Sequence, residues 1–240
     1  MKKFYFLFQK YLWWFLVAVF SIGVIISLFS CSMEPVQENC QPSPGLWEDQ
    51  VIPYYLDSRW EETEQLEIVY EVMAEYEKLG FTFIEIPQDE LFSHNYDGYI
   101  YIKWSGVAVS HIGKKGGEQQ MYLPVGWNTF KTTTIHEFGH AVGLHHGHKR
   151  ADRDEYLTFY WDNIPEDRYP FFEASEEYYT GLDYFDTESV MLYHCKAYGI
   201  DSSQPTMTLK DGTCISPGDV LSEGDKATIK YLYCHELSKP

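Results

Sequence analysis

The stretch His136–His146, which reads HEFGHAVGLHH, constrains the fold of this chain more than any other part of its sequence. We predict a helix over Thr132–Val142, in which residues four positions apart lie on one face. His136 and His140 have this spacing, so both imidazoles can reach one metal ion. Glu137 lies beside the first histidine, where its carboxylate can polarise a metal-bound water.

Gly143 then decides which histidine comes third. A glycine can adopt the left-handed conformation that ends a helix and turns the chain back. The turn brings His146 to the same metal, while His145 is expected to pack or to face solvent. Three neutral imidazoles leave a fourth position open for water, which is typical of a catalytic zinc site rather than a structural one. A His-Glu-x-x-His pattern alone arises by chance; the extended pattern is far more demanding.

Two further motifs carry a resemblance to a known family. Residues 150–156 read RADRDEY and match the pattern R-x-D-R-D-x-Y, and residues 189–193 read SVMLY and match S-x-M-x-Y. Together with the histidine stretch, these motifs resemble the metzincins and, within them, the astacin-like zinc endopeptidases. The likeness runs from about Trp47 to Cys234. It implies an α+β metzincin fold with a twisted, mostly antiparallel-edged five-stranded sheet, two long helices, a zinc cleft and an irregular C-terminal subdomain ending in a helix.

The resemblance also implies a role for each site residue. One Zn²⁺ per chain activates a water, Glu137 acts as general base and later delivers the proton to the leaving amine, and Tyr193 stabilises the oxyanion. Met191 packs beneath the histidines. The implied zinc ligands are His136, His140 and His146.

Alternating apolar residues and turn signals predict five short strands. By resemblance, the last of them is the sheet edge above the cleft, where an extended peptide could add antiparallel. The predicted strands are Val51–Leu56, Phe81–Ile86, Tyr99–Lys103, Val107–Ile112 and Glu118–Leu123.

Two more helices are predicted from periodicity and capping residues. The first is capped by Ser58, carries apolar residues at three- and four-residue intervals from Leu66 to Tyr76, and stops at Gly80. The last begins at Ser222, whose side chain can form a capping arrangement with Asp225, and ends near residue 234.

The region between these helices is harder to assign. No regular helix is predicted over Tyr156–Phe185. Ala197–Leu221 is predicted to be a loop that, by family analogy, walls the pocket on the leaving-group side. Lys196 and Lys210 either recognise an acidic substrate side chain or are solvated surface lysines.

The N-terminus predicts export. Residues 1–30 combine a basic start with an apolar run and are predicted to be a signal peptide. Leu28–Cys31 resembles a bacterial lipoprotein cleavage box, which predicts lipidation of Cys31; an uncleaved membrane anchor and ordinary secretion are the alternatives. Residues 31–46 are a predicted flexible tether, and residues 47–240 the predicted catalytic domain. The predicted location is extracytoplasmic and membrane-anchored.

The other four cysteines would then lie in an oxidising compartment. Four cysteines allow three connectivities. We favour Cys195 with Cys214 as a local loop and Cys40 with Cys234 as a clasp between the ends; four free thiols are the alternative.

Maturation is a further expectation. Many members of the family that the chain resembles carry a propeptide with an F-x-G-D motif, whose aspartate blocks the zinc. The family also usually has a glutamate directly after the third histidine, which pairs with the N-terminal ammonium freed when the propeptide is cut. This sequence has no such motif and has Gly147 at the glutamate position. We therefore expect activity without proteolytic maturation.

The net charge of the chain limits the classes of partner that it can bind. The net charge of -18 becomes -21 when the three lysines of residues 1–30 are removed. Such acidity disfavours nucleic acid. A peptide or protein substrate, a membrane reached through the N-terminal lipid or anchor, and a monomeric state are expected. An inactive, surface-anchored binding lipoprotein on a metzincin scaffold is the alternative function, and a structural zinc protein is disfavoured by the open fourth position.

Overall fold

The computed structural model describes residues 45–61, 63–175 and 180–233. Residues 1–30, Cys31, Cys40 and Cys234 lie outside these ranges, so the signal, lipidation and clasp predictions concern undescribed residues. No helix in the described ranges is long and apolar enough to cross a membrane. The helices are α1 Glu64–Glu77, α2 Phe130–Ala141, α3 Tyr169–Phe172 and α4 Glu223–Leu232. The strands are β1 Val51–Leu56, β2 Thr82–Glu85, β3 Gly98–Ser105, β4 Gly117–Pro124, β5 Leu157–Phe159 and β6 Met207–Leu209.

Within the described residues, the main sheet has four strands in the order β2-β1-β3-β4, and every neighbouring pair is parallel. The prediction of a five-stranded, mostly antiparallel-edged sheet was therefore wrong in strand count and direction. The predicted strand Val107–Ile112 is reduced to one antiparallel bridge between Val109 and Tyr122. The α+β class, with helices against a sheet, is confirmed by this architecture.

The path of the chain between β3 and β4 explains this difference. The chain leaves β3, runs along the outer edge of the sheet at Val109, and then returns as β4. β4 therefore lies between β3 and Val109. β4 is therefore parallel to β3, and Val109 lies at the outer edge of the sheet. The prediction, made by resemblance, that Glu118–Leu123 forms that edge was wrong, because β4 is paired on both sides, with β3 and with Val109.

The helices bury their predicted faces. Val69, Val72, Met73 and Tyr76 of α1 are buried in the core that the sheet and α2 share, and the Tyr76 hydroxyl donates to the Ile135 carbonyl of α2 at 2.6 Å. Ser58 does not cap this helix: it begins a short 3₁₀ turn that is capped by Asp57, and α1 starts later, at Glu64.

At the other end of the chain, the predicted cap of the last helix is confirmed. Ser222 and Asp225 form a reciprocal capping box at the start of α4.

Two of the three hydrophobic clusters among the described residues contribute to the cleft. The larger contains the sheet, α1, the inner face of α2 and part of α4. The smaller surrounds the antiparallel pair β5–β6 and includes Phe172, Leu192 and Cys195. The predicted Cys195–Cys214 disulfide is present. The regions predicted to be irregular thus contain β5, α3 and β6, which are too short to carry a periodic sequence signal.

Candidate active site

The predicted metal-binding helix is α2, shifted by one or two residues from its predicted bounds. It ends as expected: Gly143 has φ of 104°, its amide donates to the His140 carbonyl at 2.8 Å, and the Leu144 amide donates to the Gly139 carbonyl at 2.9 Å. These two bonds satisfy carbonyls at the helix end and reverse the chain. The Trp47 indole also donates to the Ala141 carbonyl, at 2.8 Å.

Three imidazoles converge just beyond this helix end. His146 Nε2 lies 3.1 Å from His136 Nε2 and 3.2 Å from His140 Nε2. Tetrahedral zinc with Zn–N bonds of about 2.0–2.1 Å separates its ligand nitrogens by about 3.3 Å, so the spacing suits one zinc ion. His145 is half-buried and is not part of the converging group.

The outer ring nitrogens orient two of these imidazoles. His136 Nδ1 lies 2.8 Å from the Val190 carbonyl, and His140 Nδ1 lies 2.8 Å from the Leu144 carbonyl. A carbonyl only accepts, so each Nδ1 carries the proton and each Nε2 presents its lone pair to the centre. Hydrogen bonds of this kind fix the orientation of metal-binding histidines. The donor set therefore fits a zinc ion.

Burial keeps these side chains uncharged. It lowers the pKa of His136, and it lowers the pKa of His140 to about 3, with the neighbouring His136 contributing to the second shift. Burial also holds the pKa of His146 well below its ordinary value. Neutral imidazoles are the form that binds metal, so the site is ready for a cation at neutral pH.

Glu137 is the acidic group at this site. Its side chain is buried, at 4% exposure, and its Oε2 has no hydrogen-bond partner among the described residues. Burial raises the pKa of Glu137 to about 8. A carboxyl group with an unused oxygen and a pKa near neutrality can both accept and donate a proton in a reaction.

The turn from Ser189 to Tyr193 closes the site from below. Met191 is buried, and a Cβ at Gly139 would lie 2.6 Å from its Sδ, so the methionine packs directly against α2. The Tyr193 ring lies 4.5 Å from the His146 ring, centroid to centroid, and lines the cleft. Burial raises the pKa of Tyr193, and the neighbouring Tyr198 raises it further, so its hydroxyl stays protonated and can donate a hydrogen bond.

His148 is a site residue that the sequence reasoning missed. It is fully buried, and its ring lies 5.3 Å from that of His146 and 4.3 Å from that of Tyr193. Its Nε2 is 3.1 Å from the Phe171 carbonyl, and its Nδ1 has no partner in the described structure. His148 therefore supports both the third imidazole and the tyrosine. The sequence signal that could have identified it is its position, two residues after His146.

The RADRDEY motif has a structural role in this fold. Arg150 binds Asp152 through Nε at 2.9 Å and Nη2 at 2.6 Å, and it donates to the Tyr184 carbonyl. The buried Arg153 donates to the carbonyls of His148 and Phe172. The two arginines thus hold the chain that follows the third histidine. Gly147 lacks a side chain where a Cβ would lie 3.1 Å from Leu192.

The cleft is a cavity of about 700 Å³ whose floor contains the three histidines and Glu137. The edge segment, residues Val107–Ile112 at the outer edge of the sheet, contributes Ala108, Val109, Ser110 and Ile112 to the lining. β4 contributes no lining residue. Among the described residues, Lys149 is the only lysine or arginine that lines this cavity. Neither Lys196 nor Lys210 lines it, and the Lys196 ammonium donates to the Ser203 carbonyl.

Comparison with known proteins agrees with this architecture. The model of the peptidase family Astacin matches residues 40–234. Zinc metalloproteinase nas-8 of Steinernema carpocapsae is 32% identical over 189 residues, covering 73% of this chain and 43% of that protein. Astacin-like metalloendopeptidase of Gallus gallus is 34% identical over 188 residues, covering 76% of this chain and 43% of that protein. The chain belongs to the astacin family.

A solved structure shows the same fold. High choriolytic enzyme 1, a hatching enzyme zinc-protease from Oryzias latipes, superposes with a TM-score of 0.70 at 23% identity, covering 81% of this chain and 97% of that chain. This similarity shows that the two chains share a fold. The chain spans less than half the length of the two relatives above.

Proposed function

We propose that this chain is a zinc-dependent endopeptidase that hydrolyses peptide bonds of extracellular proteins or peptides. The observation that carries the proposal is the convergence of three neutral imidazoles, in which His146 Nε2 lies 3.1 and 3.2 Å from the other two Nε2 atoms, beside a buried carboxyl group with an oxygen that has no partner among the described residues. His136, His140 and His146 would hold the ion. Membership of the astacin family supports the same activity.

Bound zinc would supply Lewis-acid chemistry, which acidifies a water molecule and polarises the scissile carbonyl. Glu137 takes the proton from the attacking water and delivers it to the leaving amine. The Tyr193 hydroxyl donates a hydrogen bond to the oxyanion that develops on the carbonyl. Desolvation at the base of the cleft keeps Glu137 close to the pKa that such a two-way transfer requires.

The edge segment suggests how substrate binds. Both main-chain groups of Val109 bond to Tyr122, at 3.2 and 2.9 Å. In an extended chain the main-chain groups of the adjacent residues, Ala108 and Ser110, then point the other way, towards the cleft. A substrate in extended conformation can add to this edge through main-chain hydrogen bonds, which do not depend on its side chains.

Export and anchoring remain predictions from residues 1–46, and the monomeric state remains a prediction as well. The Cys195–Cys214 disulfide supports an oxidising, extracytoplasmic location.

The test compares the full chain with its Glu137→Gln variant. We expect one zinc per chain in both proteins, and loss of peptide-library cleavage by on the order of 10³-fold or more in the variant, because the amide cannot accept the proton of water. Zinc content by atomic spectroscopy and cleavage by mass spectrometry provide the two measurements. Zinc without cleavage in the wild type would instead support the inactive binding scaffold.

A further inference from the structure

The turn below the metal centre is held by one carboxylate from the last helix. Asp225 of α4 is 5% exposed. Its Oδ1 accepts a hydrogen bond from the Ser189 hydroxyl at 2.6 Å, and its Oδ2 accepts one from the Val190 amide at 3.0 Å. The Ser189 hydroxyl in turn accepts from the Met191 amide at 3.0 Å. The backbone of this short turn is thereby fixed from below.

The same turn holds a metal-binding imidazole from the other side. The Val190 carbonyl accepts the Nδ1 proton of His136 at 2.8 Å. The Met191 carbonyl accepts from the Gly147 amide at 3.1 Å, next to His146 in the chain. The turn that Asp225 positions thus orients the His136 ring through the Val190 carbonyl and binds the backbone next to His146 through the Met191 carbonyl.

Charge makes this arrangement specific to a carboxylate. Burial raises the pKa of Asp225, while hydrogen bonds from Ser189, Ser222 and Val190 oppose that shift. Charge-assisted hydrogen bonds of this kind are stronger than neutral ones. Removal of the carboxylate would leave buried donors without partners, which is more costly than losing an exposed bond.

We propose that Asp225 is a positioning residue of the metal centre, which fixes the Ser189–Met191 backbone so that the Val190 carbonyl holds His136 Nε2 towards the ion. The inference rests on the proposed zinc site. Asp225 does not touch the histidines, so it acts only through the turn. Groups bonded directly to a metal-binding histidine typically contribute about 10- to 100-fold in metal affinity, and Asp225 acts through such a group, the Val190 carbonyl.

Asp225 also belongs to the capping box of α4, and capping alone would explain its presence. The two roles share one atom, Asp225 Oδ2, which accepts from the Val190 amide and from the Ser222 amide, each at 3.0 Å. They differ in the hydroxyl group involved: the cap uses the Ser222 hydroxyl, which accepts from the Asp225 amide at 2.8 Å, and the link to the turn uses the Ser189 hydroxyl. Ser222→Ala therefore weakens the cap and leaves the link. Ser189→Ala removes half of the link and leaves the cap. Asp225→Ala removes the whole link together with the carboxylate half of the cap.

The experiment measures zinc transfer from each full-length zinc-loaded protein to a chromophoric chelator. We expect Asp225→Ala to lose zinc at a rate on the order of 10-fold or more above that of the wild type. Ser189→Ala should lose zinc at an intermediate rate, and Ser222→Ala at the wild-type rate. Thermal unfolding of the zinc-free proteins provides the folding control. Should Asp225→Ala fail to fold, the contrast between Ser189→Ala and Ser222→Ala decides the matter.

A second readout follows the hydrogen bond itself. In zinc-loaded wild type, the His136 Nδ1 proton should give a slowly exchanging, downfield NMR signal, which Ser189→Ala weakens and Ser222→Ala preserves. Equal zinc-loss rates in the Ser189 and Ser222 variants, with the signal intact in both, would overturn the positioning role. A wild type that binds no zinc would overturn the proposed function first, so the two failures are distinguishable.

Discussion

The helix α2 and the turn Ser189–Tyr193 supply opposite walls of one site, and they are held in different ways. In α2, two histidines and Glu137 are placed by helix geometry, and the Gly143 turn adds the third histidine within a few residues. The turn has no regular structure. Its position depends on Asp225, 36 residues from Ser189 along the chain, and on packing of Met191 against Gly139.

The difference shows where local and long-range interactions act. The backbone hydrogen bonds that every helix makes are enough to place His136, Glu137 and His140 in α2. The turn must be assembled from elements that meet only after folding. We therefore expect changes in the turn to affect chemistry or metal retention through long-range contacts, and changes near α2 to act through local conformation.

Among the changes that test this comparison, the largest effect is expected for Tyr193→Phe. The variant loses the hydroxyl proposed to stabilise the oxyanion and keeps the ring that contacts His146, so kcat should fall about 10²- to 10³-fold with unchanged zinc content. Steady-state kinetics on a cleaved peptide provide the measurement. Tyr96→Phe, at an exposed site outside the cleft, is the matched control. Full activity in Tyr193→Phe would reduce the tyrosine to a packing residue.

Removal of the disulfide should have the next largest effect. Cys195 and Cys214 are 19 residues apart and close the region that follows the turn. A double Ser variant should lose about 3 kcal/mol in free energy of unfolding, because the unfolded chain is no longer constrained. Urea denaturation tests this, with the reduced wild type as control. A loss near zero would mean that the smaller core alone holds this region.

Gly143→Ala sharpens the comparison from the side of α2. The residue has φ of 104°, and a Cβ there would lie 2.5 Å from Leu46 Cδ2. We expect a loss of about 1–2 kcal/mol from backbone strain, with faster zinc loss because the turn to His146 shifts. Gly212→Ala is the matched control: its φ is 85°, and no described atom lies within 4 Å of the position that the added methyl group would take. Similar zinc loss in both variants would argue against a specific role for the Gly143 turn.

The smallest effect is expected for Lys149→Glu. Lys149 is the cleft lysine, so charge reversal should lower kcat/KM for peptides with acidic side chains and raise it for basic ones, by roughly fivefold, or about 1 kcal/mol, at this partly exposed position. Paired acidic and basic peptide libraries provide the measurement. Lys196→Glu, on the exposed loop outside the cavity, should leave the preference unchanged. An equal shift in both variants would point to the overall charge of the protein.

The sequence predicted well wherever a short-range pattern carries the information. The spacing of His136 and His140 required only a helix, and Gly143 required only a left-handed turn, so the convergence of the three imidazoles could be predicted directly. The Ser222–Asp225 cap is local in the same sense. Ser58 failed as a cap because Asp57 and the buried Trp60 form a 3₁₀ turn there.

Alternation of residue types predicted strands but could not say which strand lies at the edge. The order β2-β1-β3-β4 and the outer position of Val109 depend on how the chain between β3 and β4 crosses the sheet. The second role of Asp225 and the burial of His148 between His146 and Tyr193 likewise depend on contacts between distant segments. Periodicity and motif spacing are properties of residues close together in the chain, so they place the histidines and Glu137. Only the packing of distant segments decides the order of the strands, the wall of the cleft and the support beneath the three histidines.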